Sequence, residues 1–155
     1  MTPGTTSAVV YANAFIVGAA LMGFEMLGSR YLFPYFGGGI GTWAALISTV
    51  LIALTVGYLA GGSLVDRNPS SSVIAVAVAL AGVYLAVIPP IADPVIGWIL
   101  DTMGDGPVAI LCASAVLCLV PLTLLGMYSP VAVRLIVRTT DEVGRVAGLV
   151  YGIST

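Results

Sequence analysis

The sequence predicts an all-α fold, a polytopic bundle of transmembrane helices forming one membrane domain over residues 1–155, and three observations predict it. Of its 155 residues, 59% are hydrophobic and only 8% charged, against about a quarter charged in an ordinary soluble chain. The mean hydropathy is +1.12. The apolar residues are gathered into runs near the roughly 20 residues a helix needs to cross a bilayer, with proline, glycine and the few charges between them. At that spacing the length allows about four or five crossings and leaves no room for a soluble domain of normal size. Five arginines spread along the chain, with no lysine, cannot neutralise a phosphate backbone, so nucleic acid is excluded as a partner. The partner this composition implies is the lipid bilayer.

The first helix is expected over 8–33, with Pro34 closing it. The stretch Met1 to Ser7 has no positive charge and no small-residue cleavage site follows a short apolar core, so the helix reads as retained rather than as a cleaved signal. The second is expected over 43–63, followed by the punctuation of Asp66 to Ser72. The third, 73–90, stops at Pro89 and Pro90. Between the third and the fourth, Pro94 to Met103 carries Trp98 at its centre and reads either as an interfacial helix, with the indole at headgroup level, or as a plain loop. The fourth helix spans 108–134. A fifth, 145–155, is about half a crossing, and a half-helix in hydrocarbon leaves carbonyls without partners. The expectation is that the chain either continues into something longer or has its end covered by another subunit.

Orientation follows from arginine. With the N-terminus in the cytoplasm, Arg67, Arg134, Arg138 and Arg145 all lie in or beside inside loops, while the acidic loop with Asp93, Asp101 and Asp105 lies outside. The expected place is the plasma membrane with a cytoplasmic N-terminus.

Helices in lipid gain little from hydrophobicity when they associate, so small residues that allow close approach supply the packing. In the second span Ala45, Thr49, Ala53, Gly57 and Gly61 recur every four residues and form one narrow stripe; Ala19 and Gly23, and Ala109 and Ala113, make shorter versions in the first and fourth.

Polar residues inside the spans are few enough to weigh singly. Glu25 lies about 25 Å along the first helix from Ala8 at 1.5 Å per residue, within the hydrocarbon, and Arg30 lies nearer the interface. Five residues apart, they point about 140° from each other and are poorly placed to pair. Glu25 either fixes helix packing as a buried charge or forms, with Arg30, part of a substrate or proton site. At the other side, Asp66 and Arg67 end the second helix, Arg134 and Arg138 end the fourth, and Arg145 opens the fifth. They form either a cytoplasmic charge network or a set of solvated topology determinants.

Several motifs fail their context. Gly37 to Gly41 follows a membrane helix rather than a strand, so it is not a dinucleotide cradle, although Thr42 stands where it could cap the second helix. Cys112 and Cys118 are about 120° from sharing a helix face and there is no histidine, so no metal set and no cofactor is expected. A lone glutamate without a second acid or base supplies no hydrolase, and the chain is not expected to be an enzyme.

Two strings carry a family likeness. GAALMGFEMLGSRYLFPYFGGGIGTWAALI (Gly18 to Ile47) and LGMYSPVAVRLIVRTTDEVGRVAGLVYGIST (Leu125 to Thr155) resemble the membrane domain of fused transporter/spermidine-synthase-like proteins, notably in Glu25, Ser29, Arg30, Pro34, Tyr35, Phe36, Gly37, Trp43, Pro130, Arg134, Gly144, Arg145, Gly148 and Tyr151. GGSLVDR (Gly61 to Arg67) is similar to the loop between the second and third helices of major facilitator transporters. The resemblance implies a transporter-like bundle, a partial major-facilitator-like repeat, with Glu25 and Arg30 as the charged pair of the signature. It does not carry aminopropyl transfer, since the soluble domain of that family has no counterpart here. The expected function is a transporter-like or substrate-handling module for a small cationic solute; the alternative is a non-catalytic anchor or accessory subunit that docks a partner protein. Either implies a homo-oligomer or another membrane subunit.

Overall fold

The computed structural model describes residues 3–67, 70, 72–137 and 140–154. Helix α1 is Pro3–Phe36, α2 is Ile40–Arg67 and α3 is Ser72–Met103. The fourth crossing is built of α4 (Pro107–Ser114), a π-helical turn (Ala115–Leu119), α5 (Val120–Gly126) and α6 (Tyr128–Ile136). A short 3₁₀ turn, Thr140–Glu142, leads into α7 (Val143–Ser154). No strand occurs among the described residues. Four stretches, Ser7–Phe36, Ile40–Arg67, Ser72–Met103 and Pro107–Ile136, are long and apolar enough to cross a membrane. The chain is an all-α, multi-pass integral membrane protein.

Helix ends depart from the expected ones for local reasons. Pro34 does not close α1. It sits in the last turn, where it removes one hydrogen bond, and the helix ends instead at Gly37, whose φ of +72° is open to glycine and whose N–H donates to Phe33 O at 2.9 Å. Gly104, φ +71°, ends α3 in the same way on Leu100 O. The third helix does not stop at Pro89 and Pro90 either. It runs through both and through Pro94 to Met103, making the segment around Trp98 neither a loop nor a separate interfacial helix. Membrane helices tolerate proline because neighbouring groups make up the lost bonds. Here Ile88, Ala92, Ile96 and Ile99 form one buried face that keeps packing across the proline positions.

The fourth crossing is central. Half of its most apolar stretch is buried within the chain, against 11% for α1 and for α3. It packs along α2 on one side and along α3 on the other, while α1 lies against α2 and the fourth crossing, and α7 against α1 and α6. Along their backbones α1 and α3 scarcely touch.

The α2 stripe Ala45, Thr49, Ala53, Gly57 and Gly61 is buried. A Cβ on Gly57 would overlap the Thr123 carbonyl oxygen, and one on Gly61 would stand 2.7 Å from Met127 O, so the two backbones meet with no room for a side chain. Of the smaller residues expected to pack, Ala109 and Ala113 are buried, whereas Ala19 and Gly23 are exposed: the buried face of α1 is the neighbouring one, through Ala14, Gly18, Gly28 and Leu32.

The π turn leaves a carbonyl without a backbone donor. In π geometry the Val116 carbonyl would pair with the N–H of residue 121, and Pro121 has none. The hydroxyl of Tyr84, reaching across from α3, donates to Val116 O in its place. About three turns beyond Val116, Tyr128 at the head of α6 donates to Val10 O of α1 at 2.6 Å.

Candidate functional site

Three polar places interrupt the apolar bundle, and each is set by helix periodicity. The first is on the packing face of α1. Ala14, Gly18, Leu21, Glu25, Gly28 and Leu32 step by three and four residues and are each half-buried or buried. Glu25 is the one charged member of the stripe. One turn on, a Cβ at Gly28 would lie 3.2 Å from Cys118 Sγ and 3.3 Å from Leu46 Cδ1, so α1 meets both α2 and the π turn of the fourth crossing there. Glu25 is within electrostatic reach of the Cys118 thiol and makes no hydrogen bond or ion pair with any described residue. Eleven residues from Phe36, it stands about 16 Å from that end of a helix about 51 Å long, inside a hydrocarbon core of roughly 30 Å.

The second place ties α1 to α3 at the end marked by Gly37 and Gly104. Tyr31 and Tyr35, four residues apart on one face of α1, both donate to Asp93 Oδ1, Tyr35 at 2.8 Å, and their rings stand 6.4 Å apart. Asp93 is thus part of helix α3 and not of an acidic loop, a correction that follows from the helix continuing through the prolines. Arg30, beside this clasp, is exposed and lines two grooves: one of about 580 Å³ between α1 and α3, and one of about 610 Å³ shared with Ser29, Phe33, Thr42 and Trp43. Thr42 does not cap α2, which starts at Ile40; its hydroxyl donates to Gly37 O at 2.9 Å and closes the short connection. Glu25 lines neither groove, so the structure does not bring it and Arg30 together.

The third place is at the opposite end. A cavity of about 530 Å³ between α2, α6 and α7 is lined by Asp66, Arg134 and Tyr151 among apolar residues, and the Tyr151 ring stands edge-on to Tyr58 at 5.7 Å. Asp66 and Arg134 share the cavity without forming an ion pair. Arg67 and Arg145 are exposed and line no part of it, and Arg138 lies outside the described residues. Of the four described members of the expected charge network, then, Asp66 and Arg134 come together.

Compared with protein-family models, with curated proteins and with solved structures, the chain matches none.

The two cysteines are free, Cys118 buried and Cys112 half-buried, and no group of three metal-ligating side chains occurs among the described residues. Two features escape a reading of the sequence. The clasp had a visible signal in Tyr31 and Tyr35 at helical spacing, but its acceptor stands beyond two prolines that read as a helix stop. The role of Tyr84 had none, since a tyrosine in an apolar run does not announce which carbonyl it will reach.

Proposed function

We propose that the chain is a substrate-handling module of a transporter-like membrane protein and that it takes a small cationic solute against Glu25. The observation that supports this reading is the place of that carboxylate: it interrupts a stripe otherwise made of Ala, Gly and Leu, inside the hydrocarbon, facing a distorted helix and without a polar partner among the described residues. A carboxylate in such surroundings is expensive unless something neutralises it. A cation does so, and ion and substrate sites of transporters commonly stand where a crossing helix departs from regular geometry. The π turn at Ala115–Leu119 is such a departure. A polyamine is the class of cation to which the family resemblance points.

The second reading is an anchor or accessory subunit. It is favoured by the low burial of α1 and α3, 11% in each of their apolar stretches, which leaves two broad helical faces for another copy or another membrane subunit. Both readings put the chain in the plasma membrane with a cytoplasmic N-terminus.

Uptake of radiolabelled spermidine into proteoliposomes separates them. Under the first reading the wild type accumulates label, Glu25→Gln abolishes accumulation and Glu25→Asp keeps part of it. No uptake by the wild type, or equal uptake by Glu25→Gln, overturns it. The second reading fails if the protein purified in mild detergent is monodisperse, with neither self-association nor a co-eluting chain.

A further inference from the structure

Between α2, α6 and α7, at the end opposite the tyrosine–aspartate clasp, lies the cavity of about 530 Å³. Its volume is within the roughly 300–1,000 Å³ typical of ligand sites. Helix periodicity builds its walls: Gly62 and Asp66 on α2, Pro130 and Arg134 on α6, and Ala147 and Tyr151 on α7 each stand four residues apart, on one face of their helix. Gly62 makes room. Its neighbour Gly61 is pressed against Met127, whereas a Cβ on Gly62 would meet nothing within 4 Å, so the two glycines divide α2 into a face that packs and a face that opens. Eight residues separate Asp66 from Tyr58 on α2 and Val143 from Tyr151 on α7, and the two tyrosine rings meet edge-on at 5.7 Å. The two helices therefore run side by side for about 12 Å between the charged end and the tyrosine pair.

The cavity carries both signs of charge at one end and hydrocarbon beyond. Asp66 stands one residue from the end of α2 and Arg134 two residues from the end of α6, so neighbouring helices bring them to the same level. Both line the cavity, and neither makes an ion pair or hydrogen bond with a described residue. The other described residues of the lining are glycine, proline, valine, alanine and the Tyr151 ring. Opposite charges that face one cavity without pairing are both neutralised by a ligand that brings one of each.

We infer that this cavity binds an apolar α-amino acid: its carboxylate meets the Arg134 guanidinium, its ammonium meets Asp66, and its side chain lies along Val65, Val133 and Ala147 toward Tyr151. An arginine fork matches a carboxylate with two parallel N–H donors, and an ammonium gives N–H donors to an aspartate. In an α-amino acid both charged groups and the side chain leave one carbon, which suits a cavity whose two charges share one end and whose wall is apolar. A polyamine offers Arg134 no acceptor, and a fatty acid anion offers Asp66 no donor. The site involves neither Glu25 nor the solute proposed for it.

Equilibrium dialysis of radiolabelled L-leucine and L-phenylalanine against the full chain in phosphatidylcholine nanodiscs tests the inference. The wild type should bind at least one of them saturably. The corresponding amino alcohol, which lacks the carboxylate, and the deaminated acid, which lacks the ammonium, should each displace it at least about tenfold less well than the amino acid itself, the scale of one charge-assisted hydrogen bond. Asp66→Asn and Arg134→Gln should each weaken binding by about the same factor, and Gly62→Leu, which fills the cavity, should abolish it. Glu25→Gln should bind the amino acid as the wild type does, which keeps this site distinct from the one proposed for the cation. The inference is overturned if neither amino acid binds saturably, or if the amino alcohol or the deaminated acid competes as well as the amino acid. Unchanged binding in either charge variant or in Gly62→Leu, or loss of binding in Glu25→Gln, overturns it as well. Circular dichroism of each variant shows that it is folded, and the Asp66 and Arg134 side chains are exposed, so their replacement leaves the packing in place.

Discussion

Replacing glycine in the α2 stripe probes how much of this bundle rests on backbone contact. At Gly61 an added Cβ would stand 2.7 Å from Met127 O and 2.8 Å from its Cα, whereas ordinary van der Waals contact begins at 3.4 Å. The obstacles are backbone atoms, so no rotamer change relieves them, and α2 must move off the fourth crossing by roughly 0.7 Å. A gap of about 0.5–1 Å forfeits a quarter to a half of each dispersion contact along the seam. In lipid that packing has no hydrophobic driving force to fall back on. Gly61→Ala should therefore destabilise the protein by about 1–3 kcal/mol, and Gly57→Ala, which meets the Thr123 carbonyl more closely still, by at least as much. The control is adjacent. A Cβ at Gly62 meets nothing within 4 Å, so Gly62→Ala should leave the packing intact and gain up to about 1 kcal/mol from helix propensity. Reversible unfolding in mixed micelles, followed by far-ultraviolet circular dichroism against SDS mole fraction, measures the order. If Gly61→Ala and Gly57→Ala unfold at or above the midpoint of Gly62→Ala, the two backbones are not in contact and the helix arrangement is wrong.

The tyrosine–aspartate clasp predicts that Tyr31→Phe and Tyr35→Phe each lower stability by about 0.5–1.5 kcal/mol in the same unfolding assay, and that Asp93→Ala removes the effect of both, because the two hydroxyls share Oδ1. Additive losses from Asp93→Ala and Tyr35→Phe would break the clasp. Tyr84→Phe should destabilise by about 1–3 kcal/mol, since it leaves the Val116 carbonyl without a donor beside a proline that cannot supply one. Restoring an N–H with Pro121→Ala in that background should recover part of the loss; no recovery would mean that the Tyr84 hydroxyl does not stand in for the N–H that Pro121 lacks.

The crossings were legible because their cause is local: apolar length and a handful of breaking residues. So was the seam Ala45 to Gly61, because a four-residue period of small side chains is written into one helix and needs no knowledge of its partner. The ends of α1 and α3 were not. A proline reads as a stop when only the lost hydrogen bond is considered, yet Ile88, Ala92, Ile96 and Ile99 keep their buried register across Pro89, Pro90 and Pro94, and that packing against the fourth crossing outweighs the lost bonds. The misreading of Asp93 as a loop residue follows from the same step and hid its meeting with Tyr31 and Tyr35. Glu25 stood out by chemistry alone, while its setting near Cys118 in the π turn depends on how α1 packs against the fourth crossing, a relation no single segment contains. At the other end the sequence leaves open a charge network or a set of solvated charges, because the direction of each side chain depends on how its helix packs; among the described residues Asp66 and Arg134 line a common cavity, while Arg67 and Arg145 are exposed.

The central claim is that Glu25 receives a cation, and direct binding tests it without the complications of flux. Radiolabelled spermidine titrated onto the full chain in nanodiscs, measured by scintillation proximity, should give saturable binding to the wild type and binding at least about tenfold weaker to Glu25→Gln, the effect of removing one partner of a desolvated charge pair. Equal binding by the two proteins, or no saturable binding by the wild type, would contradict the assignment of Glu25 as the site.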